Sequence, residues 1–244
     1  MNEKVTLSAR MQAVADMVTK GNRVCDVGCD HGYVSIYLVL SGISPKILAM
    51  DINEGPLMRA KEHIVRAGLM DYITLRRSDG LVEYEQGEAD TLICAGMGGR
   101  LMQRILEREP LKSKDFKELI LQPQSEVSLF RKYMRKVGYS IEWEDMILEE
   151  NKFYPIIKAV PIKQDNPVQD NEQELCDRFG PVLLKNRHPV LKKYLKKEWE
   201  NSIKIKAKLT LADDSCRAVA RLKALDEEML YLKKAAEICG CELA

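Results

Sequence analysis

The stretch RVCDVGCDHGYVSIYLVLSG, residues 23–42, decides the fold. Residues 23–28 are a short apolar run ending on an acidic side chain and a glycine, which reads as a buried strand entering a turn. Residues 33–42 read as a helix closed by Gly42. Between them, Gly28 and Gly32 permit a tight turn and close approach of a ligand to the backbone. A strand, a glycine-rich turn and a helix together form the opening unit of an open α/β sheet.

Outward from this unit the same rhythm repeats. Upstream, residues 8–18 read as a short amphipathic helix. Downstream come a strand at 46–51, a helix at 56–68 with Pro56 in its first turn and Gly68 at its end, and strands at 72–80 and 89–96. A helix at 100–109 stops at Pro110, a strand follows at 117–124, and a helix at 125–138. Residues 140–161 read as two strands around a turn near Glu150–Lys152, the last pair antiparallel. Alternating strands and helices require a mostly parallel sheet covered on both faces, so the fold class is α/β, doubly wound, with an antiparallel last strand. Residues 161–174 read as a polar linker, and 188–238 as helical throughout with a break at Ala212–Asp214. Leu222, Leu225, Met229, Leu232, Ala236 and Cys239 form a coiled-coil-type seam, and Leu191, Leu195, Trp199 and Ile203 a facing stripe. Two domains are therefore expected, 1–161 and 162–244, the second a small helical pair.

Composition narrows the class. The chain has 244 residues, 45% hydrophobic and 31% charged, as ordinary globular proteins are. Apolar stretches are too short to span a bilayer, and MNEKVTLSAR lacks the apolar core of a signal peptide. Seven cysteines without paired spacing suit free thiols in a reducing cytoplasm, with Cys25 and Cys94 as small buried hydrophobes. His63 and His188 have no ligand cluster around them and read as surface residues, so no metal is expected. The net charge of +1 is unevenly placed: residues 182–210 hold nine Lys/Arg against two Glu. A basic segment on an acidic body suggests an anionic partner.

The polar, glycine-rich segments all fall where strands end, which is where such sheets bind ligands. In GCDHG, Asp30 stands where a nicotinamide-binding loop needs a small residue, and a carboxylate there repels a pyrophosphate. Asp26 and Asp30 instead suit a ligand with an amino group and a sulfonium; the plainer alternative is a glycine turn with a capping Asp. Asp51 ends the second strand, where an acidic residue hydrogen-bonds ribose hydroxyls. Asp79 in Ser78-Asp79-Gly80 is placed to hold an adenine amino group, or is simply an Asp-Gly turn. Gly96-Met97-Gly98-Gly99 leaves the backbone open over a flat ligand, and the amides of Gln122-Pro123-Gln124 are placed to address a base edge.

Taken together, DVGCDHGYVSIYL, DINEGPL, SDG, AGMGG, LQPQ and FYPII resemble the bacterial tRNA adenine N1-methyltransferases that modify adenine 22 in the D-arm. The resemblance continues into FGPVLLKNRHPVLKKYL and covers nearly the whole chain. It implies a Rossmann-like class I methyltransferase fold, S-adenosylmethionine as cofactor, tRNA as partner, and a C-terminal helical domain that assists tRNA binding. By position it implies that Asp26, Gly28, Asp30, His31 and Gly32 line the methionine side of the cofactor. Asp51 and Ile52 then meet ribose and adenine, Asp79 and Gly80 the adenine, and Gly96 and Met97 lie beside the methyl donor. Arg10 is a partner for the cofactor carboxylate. Adenine N1 needs no general base, so Asp26, Asp30 and Met97 are the catalytic candidates, as a field and a surface beside the transferring methyl. Tyr33, Met97 and Gln122 are candidates to hold an extruded base. A cytoplasmic monomer is favoured. The competing readings are a Rossmann-like oxidoreductase, a methyltransferase of another RNA or a small molecule, and a tRNA-binding protein with a vestigial pocket.

Overall fold

The computed structural model describes residues 5–162, 170–210 and 216–243. Its contacts separate into two compact units, Met1–Asn166 and Pro167–Ala244.

The first unit is built on one seven-stranded sheet. Helix α1 (Ala9–Asp16) opens it, with the Ser8 hydroxyl accepting from the Met11 N–H at 3.4 Å as an N-cap. Then follow β1 (Val24–Val27), α2 (Tyr33–Leu40), β2 (Ile47–Asp51), α3 (Glu54–Arg66), β3 (Ile73–Arg77) and β4 (Thr91–Met97). Next come α4 (Gly99–Arg108), α5 (Pro110–Ser113), β5 (Glu118–Pro123), α6 (Val127–Lys136), β6 (Tyr139–Glu149) and β7 (Lys152–Pro161). The strand order is β3-β2-β1-β4-β5-β7-β6. Strands β1 to β5 pair in parallel, and β7 runs antiparallel between β5 and β6. The hairpin joining β6 to β7 turns on Glu150 and Asn151, both at positive φ (47° and 62°), the geometry that matches the twist of a two-residue hairpin.

Strand alternation divides the core. Cys25, Val27, Leu48, Met50, Leu92, Cys94, Leu119 and Leu121 point to one face, where Met102 and Leu106 of α4 and Phe130 and Met134 of α6 cover them. Val24, Ile47, Ala49, Ile93 and Ile120 point to the other, covered by α1, α2 and α3 through Val14, Ile36 and Ile64. Each fully buried aliphatic or aromatic side chain contributes about 1.5–3 kcal/mol. Both faces are closed, so the sheet leaves ligands only its strand ends. Chain order reverses at β1, which has β2 on one side and β4 on the other, and the loops after both strands open at the same end.

The second unit contains α7 (Asp170–Phe179), α8 (Pro181–Lys185), α9 (Pro189–Thr210) and α10 (Cys216–Cys239). Lys206 pairs with Asp226 at 2.6 Å, while Lys233 lies over the Trp199 ring at 5.4 Å. An earlier residue of α9 meets a later residue of α10, so the two helices are antiparallel. On α10, Leu225, Leu232, Ala236 and Cys239 are buried and Leu222 and Met229 half-buried, as the seam predicts. On α9, Leu191 and Leu195 are buried, but Ile203 is 48% exposed and Ser202 takes the inward position. Ser202 lies two turns after Leu195, and a polar residue there is invisible to an apolar-stripe reading. Two boundaries also differ. The stretch expected as linker to residue 174 becomes helix at Asp170, its residues 163–169 lying outside the described residues. Pro110 does not merely stop α4; it opens α5 at a first-turn position, where its missing N–H costs nothing. The expected break at Ala212–Asp214 lies outside the described residues. Among the described residues no helix is long and apolar enough to cross a membrane.

Candidate functional site

Asp26 sits near the carboxyl end of β1 and is 5% exposed. Its Oδ2 accepts from the Ser35 hydroxyl on α2 at 2.7 Å. Burial pushes the Asp26 carboxyl up to about 6; the Ser35 hydroxyl offsets part of that rise and the charge of Asp51 adds to it. Above that pH a single negative charge is held inside the strand–helix junction.

The turn after β1 is held by the end of β2. The N–H groups of Gly28 and Cys29 both donate to the Met50 carbonyl, at 2.8 and 3.0 Å. Asp51, also buried, accepts from the N–H of Asp30 at 3.4 Å and of Asn53 at 2.9 Å. Its carboxylate is thereby fixed between the first two strand-end loops. Gly28 has φ +75°, which favours glycine, and a Cβ there would lie 2.1 Å from the Met97 methyl, so Met97 would have to move to admit one. Met97 thus lies directly over the first glycine turn, and its sulfur is 3.6 Å from Cys94 Sγ. Cys25 and Cys94 are buried, as expected; burial raises both thiols, that of Cys94 to about 12.

Asp30 departs from its neighbours. It adopts φ 48°, and its side chain is 66% exposed, 4.0 Å from Arg59 and 3.6 Å from His31 Nε2. His31, Tyr33 and His63 form a ring cluster, with Tyr33 and His63 stacked at 4.8 Å. Nδ1 of His63 is 3.0 Å from the His31 carbonyl oxygen. His63 therefore has partners that the sequence did not disclose, because they come from a loop 32 residues earlier. Gly32 caps α2 at φ +74°, packed against Ala60.

Further along the same edge, Ile52 is half exposed and its carbonyl accepts from Arg77 Nε at 3.1 Å. Asp79 forms an ion pair with Arg108 of α4. Gly80, at φ +63°, packs against Ile105. Gly96, at φ +79°, leaves room for no more than an ordinary contact: a Cβ there would lie 3.6 Å from Arg10 Nη1 and 3.7 Å from Gln124 Nε2.

Arg10 comes to this edge from α1. Its Nη1 donates to Gln122 Oε1 at 2.8 Å, its guanidinium lies 5.0 Å from the centre of the Tyr154 ring, and its Nε is 3.9 Å from Glu149 Oε2. That Nε is buried without a hydrogen-bond partner. An unsatisfied buried guanidinium nitrogen beside a glycine turn fits a site built for a carboxylate-bearing ligand. Gln122 is fully buried, and its Oε1 also accepts from the Gly96 N–H at 3.1 Å. The exposed Gln124 is the amide left free to face a substrate. Glu149, Tyr154 and Ser35 also pack here; Ser35 and Tyr154 fall within the stretches DVGCDHGYVSIYL and FYPII but have no role readable there, and Glu149 falls within none. Among the described residues no group of three or more His, Cys, Asp or Glu side chains is arranged to hold a metal ion.

Comparison with known proteins bears on this arrangement. A family model described as a methyltransferase domain matches residues 7–157. The tRNA (adenine(22)-N(1))-methyltransferase of Bacillus subtilis is 32% identical over 234 residues, 96% of this chain and 98% of that protein. The crystal structure of the B. subtilis m1A22 tRNA methyltransferase superposes with a TM-score of 0.83 at 30% identity, covering 95% of this chain and 99% of that one. A candidate tRNA (m1A22) methyltransferase of Streptococcus pneumoniae, solved with S-adenosyl-L-methionine bound, gives 0.80 at 30% identity over 94% and 99% of the two chains.

Proposed function

The chain belongs to the family of tRNA (adenine(22)-N(1))-methyltransferases, and from that premise we propose that it methylates N1 of adenine 22 in the D-arm of tRNA, with S-adenosylmethionine as donor. The observation that carries this reading is similarity to the B. subtilis enzyme over 96% of the chain, the helical unit included. When bound, S-adenosylmethionine supplies a methyl group on a positively charged sulfur.

The chain's own residues divide the remaining tasks. Arg10 receives the cofactor carboxylate. Asp26, ionised above about pH 6, faces the cationic end. Gly28, Asp30, His31 and Gly32 form the wall on that side. Asp51 accepts from the ribose hydroxyls, and Ile52, Asp79 and Gly80 border the adenine. Gly96 and Met97 line the path of the methyl and keep water from it. Adenine N1 has an in-plane lone pair and is nucleophilic while neutral, so alignment is the main task and no general base is needed. The charge that arrives on the base is opposed by Asp26, with Asp30 nearer the solvent. Tyr33 and Gln124 are placed to meet the extruded base.

In this reading residues 1–161 are the catalytic domain and 162–244 bind RNA, through the lysines of α9 and the tRNA phosphates. The enzyme works as a cytoplasmic monomer, since α9 and α10 satisfy each other within one chain. The test is transfer of labelled methyl from S-adenosylmethionine to unmodified tRNA, followed by nucleoside analysis. N1-methyladenosine at position 22, and none when that adenine is replaced by guanine, is the expected result. Label at another base would discard the position; none on any tRNA would discard the substrate.

A further inference from the structure

Gln122 lies where a base-reading amide was expected, but its geometry gives it another task. The side chain is fully buried at the end of β5. Its carbonyl oxygen accepts from Arg10 Nη1 at 2.8 Å and from the Gly96 N–H at 3.1 Å. Both lone pairs of that oxygen are therefore used. Its Nε2 donates to the Pro123 carbonyl at 3.3 Å. Nε2 keeps a second N–H, but the side chain is fully buried and presents none of it to solvent. One oxygen instead ties three elements together: α1 through Arg10, the irregular end of β4 through Gly96, and β5 through its own backbone.

Arg10 needs such a tie. It lies on a short helix, more than a hundred residues distant in sequence from the strand it reaches. A long guanidinium side chain has several rotamers, and holding one of them costs entropy. Gln122 Oε1 fixes one end of the fork, and the Tyr154 ring lies 5.0 Å from its carbon. The buried Nε makes no hydrogen bond, its nearest charged neighbour being Glu149 Oε2 at 3.9 Å, and Nη1 lies where it would be 3.6 Å from a Cβ at Gly96.

We infer that Gln122 is a positioning residue for the amino-acid end of the cofactor: it acts through Arg10, holding the guanidinium ready for a carboxylate, and does not touch substrate. This rests on the reading of Arg10 given above. The test compares two ligands in equilibrium binding to the full chain. S-adenosylhomocysteine carries the carboxylate; 5′-methylthioadenosine has the same nucleoside and sulfur without it. Gln122→Met and Arg10→Met should each weaken S-adenosylhomocysteine about tenfold, the scale of one charge-assisted hydrogen bond. Both should leave 5′-methylthioadenosine unchanged. The double variant should bind no worse than Arg10→Met, since the two act as one unit.

A purely structural role predicts equal loss of both ligands in Gln122→Met, and that result overturns the inference. So does a further loss in the double variant. If Arg10→Met alone is silent, the reading of Arg10 falls and takes the inference with it; if Arg10→Met is weakened but Gln122→Met is silent, only the inference falls. Should Gln122→Met fail to fold, the wild-type protein labelled with ¹⁵N-arginine still decides. The Arg10 guanidinium signals should show hindered rotation before ligand is added, shift with S-adenosylhomocysteine and stay in place with 5′-methylthioadenosine. A freely rotating guanidinium in the ligand-free protein overturns the inference.

Discussion

Asp26 sets stability against function. In the unfolded chain its carboxyl titrates near 3.8, and in the folded chain near 6. Between those values the folded state binds the proton more tightly, so stability falls as pH rises through that window and stays reduced above it. The shift corresponds to about 3 kcal/mol at neutral pH. Asp26→Asn should therefore unfold at higher urea than wild type at pH 8, with the difference gone at pH 4. The same variant should bind S-adenosylmethionine more than tenfold more weakly at pH 8, where wild type is charged. Equal urea midpoints at pH 8 would show that the buried charge is not costly. Gly28→Ala is the second residue-scale case. The added methyl would lie 2.1 Å from Met97, and φ +75° is strained for any side chain. It should cost about 1–3 kcal/mol in denaturant melts, with Met97→Ala recovering only the steric share. At this scale the motifs were readable because each places a residue type with restricted chemistry at a strand end. Arg10 was readable only through resemblance. The roles of Ser35 and Tyr154, though both lie in motifs, and of Glu149 were not, since they rest on tertiary contacts that no spacing encodes.

Single elements carry two further tests. The Arg131 Nε to Glu144 Oε1 ion pair joins α6 to β6 at 2.8 Å, with both side chains almost wholly buried. Arg131→Met removes this ion pair from a buried carboxylate, and up to about 3–5 kcal/mol should be lost in urea unfolding. The hairpin between β6 and β7 is weaker than it could be. Glu150 occupies a left-handed position that Asn accepts more readily, so Glu150→Asn should raise stability by about 0.5–1 kcal/mol. A fall in the midpoint would refute the turn geometry. Periodicity revealed the strands and long helices because burial repeats along them. It could not reveal α7, whose DNEQELCDRF is mostly polar, or the inward turn of Ser202. Nor could it rank the strands, since the place of β7 between β5 and β6 depends on pairing across the sheet.

For the whole molecule, charge asymmetry is the relevant feature. Lys193, Lys196 and Lys204 are exposed on α9. Reversing all three to Glu should raise the KM for tRNA more than tenfold and flatten the dependence of log affinity on log salt by about two to three. Affinity for S-adenosylmethionine should be unchanged, because its proposed residues lie in the other unit. An unaltered tRNA KM would remove α9 from the RNA interface. The two-part organisation was visible as a change from strand–helix alternation to continuous helix. The alternation itself excluded all-α and all-β folds, because the strands before the final hairpin were each followed by a segment long enough to cross back over the sheet.

The placement of β7 also has a consequence for how the chain is made. Its position lies between β5 and β6, and α1, which precedes every strand in the sequence, packs on β5, β6 and β7. Lys158 of β7 reaches back to the Met17 carbonyl at 3.0 Å and to Thr19 and Glu118 at 2.9 and 2.7 Å. Although α1 also touches α2, its contacts with β5, β6 and β7 cannot form in a nascent chain until β7, which ends at Pro161, has been made. Such long-range closure is slow and leaves apolar surface uncovered while it waits. Arg10 meets Gln122 of β5 and Tyr154 of β7, so the proposed carboxylate site is complete only once the sheet is.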